Sequence, residues 1–90
     1  MIVSYTNIQQ LLPVIIEGKV FSNTDIPLGG VHVYFVPRIE ETVTSDKGEF
    51  QLNTWMSLPV TLIVCHKNYE SYKITITTPP QKLVIKLKEK

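Results

Sequence analysis

The chain has 90 residues, and nine Lys and Arg against eight Asp and Glu give it a formal net charge of +1. A chain of this length forms one domain, near the small end of what folds alone. Its 43% hydrophobic and 19% charged residues exclude intrinsic disorder, and the lack of excess positive charge argues against a nucleic-acid binder. No apolar run approaches the roughly twenty residues of a membrane span. The first residues also lack the basic and apolar regions of a secretory signal.

Residues 1–13 differ in pattern from the rest of the chain. The stretch from Thr6 to Leu12 is compatible with one helical turn capped by Thr6, which is too short to be stable alone. We therefore expect residues 1–13 to be a leader or linker that packs its apolar side chains on a domain spanning residues 14–90.

From residue 14 onward, apolar and polar residues alternate with period two. The alternating runs cover residues 16–21, 31–36, 41–44, 49–53, 60–65, 72–77 and 82–88. Alternation of this kind, rich in Val, Ile and Thr, predicts strands with one buried face. About seven strands separated by turns every 8–12 residues or so are typical of an all-β sandwich.

The inward-facing residues of these runs form the predicted core. They are Ile16, Val20, Val31, Val33, Phe35, Phe50, Leu52, Val60, Leu62, Val64, Ile74, Ile76, Leu83 and Ile85.

Turn residues separate the runs. Residues 45–48 predict a tight hairpin turn in which Asp46 bonds a backbone N–H and Gly48 has a positive φ. Asn68 stands where the chain must reverse and tolerates a positive φ. Gly18 lies within a strand run, so we expect it to leave room for a neighbouring strand.

Residues 14–88 resemble the carboxypeptidase regulatory-like domain. The matching segments occur in the family's order: Ile16-Glu17-Gly18-Lys19-Val20, Ile26-Pro27-Leu28-Gly29-Gly30-Val31-His32-Val33, Thr44-Ser45-Asp46-Lys47-Gly48-Glu49-Phe50-Gln51-Leu52, Val64-Cys65-His66-Lys67-Asn68-Tyr69-Glu70 and Leu83-Val84-Ile85-Lys86-Leu87. Ser45 and Asn68 replace the family's usual Asp and Gly. The resemblance implies a prealbumin-like, seven-stranded Greek-key sandwich.

The resemblance also implies a setting. Such domains are frequent in cell-envelope proteins of Bacteroidetes, including extensions at the start of TonB-dependent receptors. We therefore expect a non-catalytic accessory or interaction domain of an exported envelope protein, located in the periplasm or at the surface, with no cofactor. Its expected partners are neighbouring domains of a longer chain or another envelope protein and, at low affinity, a second copy of the chain.

Candidate catalytic groups are few. Cys65 is the single cysteine, so neither an internal disulfide nor the usual zinc site is expected. Cys65 and His66 are adjacent on a strand and should point to opposite faces, which opposes a nucleophile–base pair. His32 should face outward, without a group to orient it. Hydroxyisourate hydrolases share the prealbumin-like architecture, but this chain lacks their Tyr-Arg-Gly-Ser tail, so we predict that it is not an enzyme.

The outward residues of two strands predict an interaction surface. In the resembling fold the strands at 31–36 and 60–65 are neighbours, so their outer side chains share one face. This face, here called the outer patch, consists of His32, Tyr34, Val36, Thr61, Ile63 and Cys65. It is too apolar for a simply solvated face. Either Ile8, Leu11 and Leu12 of the leader cover it, or a neighbouring domain or second copy docks there.

Two further surfaces are weaker candidates. Trp55 lies in a loop and is the leading aromatic for an alternative function, a carbohydrate- or peptide-binding module, with Tyr34, Tyr69 and Tyr72 as other aromatic resources. Four lysines share a second face at even spacing, Lys82, Lys86, Lys88 and Lys90; we expect them to form a solvated face or to protect an edge strand, and the alternative is a patch for anionic lipid or polysaccharide.

Overall fold

The computed structural model describes residues 13–79 and 82–90, and every regular element in that part of the chain is a strand. The seven strands are β1 (Val14–Ser22), β2 (His32–Val36), β3 (Glu41–Val43), β4 (Glu49–Thr54), β5 (Val60–His66), β6 (Tyr69–Ile76) and β7 (Leu83–Leu87). Their alternating burial reproduces the period-two pattern of the sequence.

The strands form two sheets. One has three strands in the order β4-β1-β7, and the other has four in the order β3-β2-β5-β6. β1 is antiparallel to β4 and parallel to β7, whereas every neighbouring pair in the four-stranded sheet is antiparallel. The two sheets bury their inner faces between them, which confirms the predicted all-β sandwich.

The core lies between the sheets and matches the predicted set with three differences. Ile74 and Leu83 are only partly buried, whereas Leu87, which was not predicted, is buried. Ile74 lies on β6, at the edge of the wider sheet, where the three-stranded sheet covers it incompletely. Leu87 pairs with Ser22 of the central strand β1, so the core extends one inward position further than predicted.

The turn at residues 45–48 has the predicted shape but a different role. The Gly48 N–H donates to the Ser45 carbonyl at 2.8 Å, and Gly48 has a φ of 80°. The Ser45 hydroxyl, and not Asp46 as predicted, accepts from the backbone N–H of Lys47 and Glu49. Because β3 and β4 belong to different sheets, the predicted hairpin is wrong, and the turn instead links the two layers.

Two other backbone expectations have different outcomes. A Cβ on Gly18 would lie 2.6 Å from the Leu83 carbonyl oxygen of β7, so the predicted close approach is confirmed. Asn68, in contrast, does not have a positive φ; Asp25 is the one non-glycine residue of the described chain that does, at 67°. The Asp25 carboxylate lies 2.8 Å from the Lys86 ammonium, so this loop is tied to β7.

Two buried hydroxyl groups hold the loop between β1 and β2. Ser22 Oγ accepts from the backbone N–H of Thr24 and Ile26. Thr44 Oγ1 donates to the Leu28 carbonyl at 2.6 Å and accepts from the Val31 N–H at 3.0 Å. The residues just before β2 are therefore fixed by bonds to residues on either side in the chain, and β2 enters its sheet in a defined register.

Candidate interaction surface

The structure brings the six residues of the outer patch together on one face. His32 pairs with Cys65, Tyr34 with Ile63, and Val36 with Thr61 across β2 and β5. The alternate residues of both strands, Val33, Phe35, Leu62 and Val64, are fully buried in the core. Since successive side chains of a strand point to opposite faces, the outer patch faces away from the core, as predicted from the alternation.

The neighbouring strands extend this surface on both sides. Tyr34 pairs with Glu41 of β3, and Ile63 pairs with Lys73 of β6, so one row runs across all four strands from a carboxylate to an ammonium group. Val43 of β3 pairs with His32 and is half exposed. The centre of the face is therefore apolar, and charged groups stand at its two edges.

Arg38 fixes one edge of the outer patch. Its guanidinium carbon lies 4.2 Å from the centroid of the Tyr34 ring, within the range of a cation–π contact. Its Nε and Nη2 atoms donate to one carboxylate oxygen of Glu41 at 3.1 and 2.9 Å. The three side chains contact one another, so Arg38 links the Tyr34 ring to the Glu41 carboxylate.

The degree of exposure differs across the outer patch. Val36 is 51% exposed, whereas Tyr34, Thr61, Ile63 and Cys65 are partly buried. An exposed valine beside a partly buried tyrosine and isoleucine makes this apolar surface uneven.

The histidines and the cysteine are close but lack the arrangement of a catalytic pair. His32 and Cys65 are directly paired neighbours, yet no hydrogen bond joins His32 to a carboxylate in the part of the chain that the structure describes. The His66 Nδ1 accepts from the Asn68 N–H at 3.1 Å, and its ring lies 5.4 Å from that of Tyr69. These contacts give His66 a structural place at the β5–β6 turn.

The same part of the chain contains no group of three or more His, Cys, Asp or Glu side chains placed to hold a metal ion. Cys65 is a free cysteine. The β5–β6 register shifts between Val64 and His66, so Cys65 has no paired residue on β6.

Trp55 follows β4 and is 57% exposed, as its loop position predicted. Thr54 before it is buried, and its Oγ1 accepts from the Met56 N–H at 3.0 Å, which fixes the backbone on both sides of the tryptophan. Tyr34 and Tyr72 lie on strands of the other sheet, and no ring of the described chain contacts that of Trp55. The structure thus presents one exposed aromatic ring at this loop.

A depression on the other outer face was not predicted. It has a volume of about 570 Å³ and is lined mainly by Glu17, Lys19, Phe21, Gln51 and Val84 of the three-stranded sheet. Lys19 Nζ lies 5.7 Å from the centroid of the Phe21 ring. Phe21 occupies an outward position in the alternation of β1. This apolar residue among polar ones was the sequence signal for an apolar site on this face.

Several expectations concern residues that the structure does not cover. Ile8, Leu11 and Leu12, which were expected either to cover the outer patch or to leave it free, lie outside the described residues. β1 begins at Val14, but the division into residues 1–13 and 14–90 as leader and domain stays a prediction.

The fold and the surface together define a small all-β sandwich domain whose distinctive feature is a partly apolar outer face. The family model of the CarboxypepD_reg-like domain matches residues 16–90. The chain therefore belongs to this family, which confirms the resemblance drawn from the motifs. No curated protein matches the chain.

Family membership carries two general statements. Domains of this family are generally non-catalytic, and they typically occur in exported proteins. Within residues 13–79 and 82–90, the structure has no helix long and apolar enough to cross a membrane.

Proposed function

We propose that this chain is a non-catalytic interaction domain of an exported envelope protein, and that it docks through the outer patch. The single observation that carries the proposal is the cross-strand pair of Tyr34 and Ile63, which places two large apolar side chains side by side on the outer face of a sandwich. The core is complete without them, because the inward residues of the same strands fill it.

The occupant that fits this surface is a folded domain, either the next domain of a longer chain or a domain of another envelope protein. Interfaces between domains bury an apolar centre within a polar rim and are more polar than permanent ones. The outer patch has this composition, with Arg38 and Glu41 at one edge and Lys73 at the other. An aromatic side chain and an arginine in contact are also the residue types that contribute most to binding energy.

The non-catalytic part of the proposal is supported by the family, which is generally non-catalytic. The envelope setting is supported by the exported proteins in which such domains occur. A sandwich that docks and does no chemistry acts as a spacer or an adaptor, and its requirements are a stable core and one complementary face.

A photo-crosslinking amino acid placed at Val36 tests the docking surface. Val36 is half exposed on the outer patch, and Val84, which is 69% exposed on the outer face of the other sheet, is the matched control. The variants are expressed in the organism of origin, with the rest of the natural gene unchanged. We expect a crosslink to one defined domain from position 36 and none from position 84. Equal crosslinking at both positions, or none at 36, would contradict the proposal.

Removal of residues 1–12 separates docking from covering by the leader. If a partner domain occupies the outer patch, the shortened chain should keep both its stability and the crosslink at position 36. If the leader covers the patch, the deletion should lower the melting temperature, and the crosslink at 36 should map to the leader in the full chain.

Carbohydrate or peptide binding at Trp55 is the second candidate, and the exposed ring on a backbone held by the Thr54–Met56 hydrogen bond is the observation that favours it. Titration of the chain with a panel of oligosaccharides while Trp55 fluorescence is followed tests it directly. Docking through the outer patch predicts no saturable change, whereas saturation that Trp55→Ala abolishes would favour the second candidate.

A further inference from the structure

Along one edge of β6, backbone groups have no hydrogen-bond partner in the described part of the chain. β6 is an edge strand, and β5 is the only strand of the described residues with which it pairs. Its beginning is closed by the chain after β7, because the Glu70 N–H donates to the Lys88 carbonyl at 2.7 Å and the Lys90 N–H to the Asn68 carbonyl at 3.2 Å. Apart from the ladder with β5, residues 71–76 make no backbone hydrogen bond within the described part of the chain.

Two of the other three edge strands, β3 and β7, have features that discourage pairing with another strand. β3 has only three residues, and β7 contains Lys86 and is flanked by Lys82 and Lys88. Short strands and lysines are the usual means of preventing edge-to-edge pairing. Residues 71–76 contain one charged residue, Lys73, and neither Pro nor Gly, so this stretch keeps the features of a strand that accepts a partner.

The inward face of this edge is also incompletely covered. Tyr72, Ile74 and Ile76 pair with Val64, Leu62 and Val60, so they lie on the core side of the sheet. Tyr72 is nevertheless 38% exposed and Ile74 partly exposed, because four strands lie over three and β6 overhangs. A strand added beside β6 would bury the exposed parts of both side chains.

We infer that the added strand is β6 of a second copy of this chain, antiparallel and with Ile74 opposite Ile74. When two copies of one strand pair antiparallel in a single sheet, residues opposite each other must lie on the same face. The two-fold axis must therefore pass through a residue and not between two residues. Centring on Lys73 would place two ammonium groups opposite each other, which is destabilising. Centring on Ile74 places Tyr72 opposite Ile76 and Lys73 opposite Thr75, so apolar pairs lie inside and no like charges meet.

The resulting pair is closed by a two-fold axis, as most homodimers are. The two four-stranded sheets become one continuous sheet of eight strands, and two outer patches then lie on the same face. The dimer does not depend on the proposed docking function, because its contacts lie on β6 while docking uses the outer patch on β2 and β5; the two share only Lys73, at the edge of the docking surface.

Charge changes at Thr75 test both the dimer and its register. Thr75 is exposed and pairs with Thr61 on β5, so a charge there leaves the monomer intact. In the dimer it faces Lys73 of the second copy, twice by symmetry. By sedimentation equilibrium from about 10 μM to 1 mM, a range suited to a small, weak interface, we expect the unmodified chain to show a concentration-dependent mass.

Thr75→Lys should then weaken dimerisation about two- to thirty-fold and Thr75→Glu should strengthen it by a similar factor, from two cross-strand pairs of usual size. Lys73→Glu combined with Thr75→Lys should restore association. Val84→Lys and Val84→Glu, on the opposite face of the molecule, should change nothing. A monomer at every concentration, or equal effects of Lys and Glu at position 75, would overturn the inference.

Cysteine trapping checks the register independently. In a Cys65→Ser background, Ile74→Cys places two cysteines directly opposite each other, within the Cα separation that a disulfide allows. Lys73→Cys places its two sulfurs on a diagonal, beyond easy reach. Under mild oxidation we expect a crosslinked dimer from Ile74→Cys and little from Lys73→Cys. Faster crosslinking by Lys73→Cys than by Ile74→Cys would contradict the proposed register.

Discussion

Gly48 shows how much one turn residue decides in this sandwich. Its φ of 80° is unfavourable for any residue with a side chain, and a Cβ would lie 2.5 Å from the Val20 carbonyl oxygen. That carbonyl belongs to β1, the central strand of the sheet that β4 joins directly after Gly48, so it cannot move without disturbing the core. The sequence predicted the positive φ from the turn pattern, but the clash depends on where β1 lies and was not predictable.

Gly48→Ala should therefore destabilise more than conformational strain alone explains. Gly30 is the matched control, since its φ is 74° and nothing lies within 4 Å of the position that a Cβ would take there. We expect Gly30→Ala to lower the free energy of unfolding by about 1–2 kcal/mol, the usual cost of a left-handed backbone, and Gly48→Ala by clearly more. Urea denaturation of both variants measures the difference, and equal losses would contradict the role given to Val20.

Thr44 is a buried polar residue whose function could not be read from the alternating pattern. Its hydroxyl bonds the Leu28 carbonyl, sixteen residues earlier, and the Val31 N–H. Thr44→Val keeps the shape and removes both bonds, leaving buried backbone groups unpaired. We expect a loss of about 1–3 kcal/mol in unfolding free energy, and a much smaller loss for Thr44→Ser, which keeps the hydroxyl. A Thr44→Val variant as stable as the unmodified chain would contradict this role of the hydroxyl.

At the scale of the strand, alternation was sufficient to assign the faces of β2 and β5. Five of their residues are fully buried or nearly so on one side, and the outer patch lies on the other. Sheet membership was harder to predict. Residues 45–48 have the local hydrogen bonds of a hairpin turn, yet β3 pairs with β2 and β4 with β1. Which strand a segment pairs with depends on distant contacts, and a turn pattern contains only local information.

Strand facing has a direct thermodynamic test in the neighbours Leu62 and Ile63. Leu62 is fully buried, so Leu62→Ala should lower the free energy of unfolding by about 2–5 kcal/mol through lost burial and a cavity. Ile63→Ala removes a similar number of atoms from the outer patch and should cost far less. Thermal and urea unfolding of the two variants compare them, and a larger loss for Ile63→Ala would mean that the face is inverted.

At the scale of the whole molecule, the order of the motifs was enough to predict the family and the sandwich. The limits of the core were less predictable, since the partial burial of Ile74 and Leu83 and the burial of Leu87 depend on how far one sheet covers the other. The residues of the outer patch were predictable because alternation assigns the faces of β2 and β5 and the resembling fold makes these strands neighbours. Its contact between Arg38 and Tyr34 was not, because Arg38 lies in the loop beyond β2.

The central claim is that the outer patch binds a partner and is not required for folding. The most direct test is the effect of Ile63→Asp on the crosslink from position 36, beside Val84→Asp as control. We predict that Ile63→Asp abolishes the crosslink, that Val84→Asp keeps it, and that both variants unfold cooperatively near the melting temperature of the unmodified chain. A crosslink that survives Ile63→Asp in a folded chain would contradict the claim.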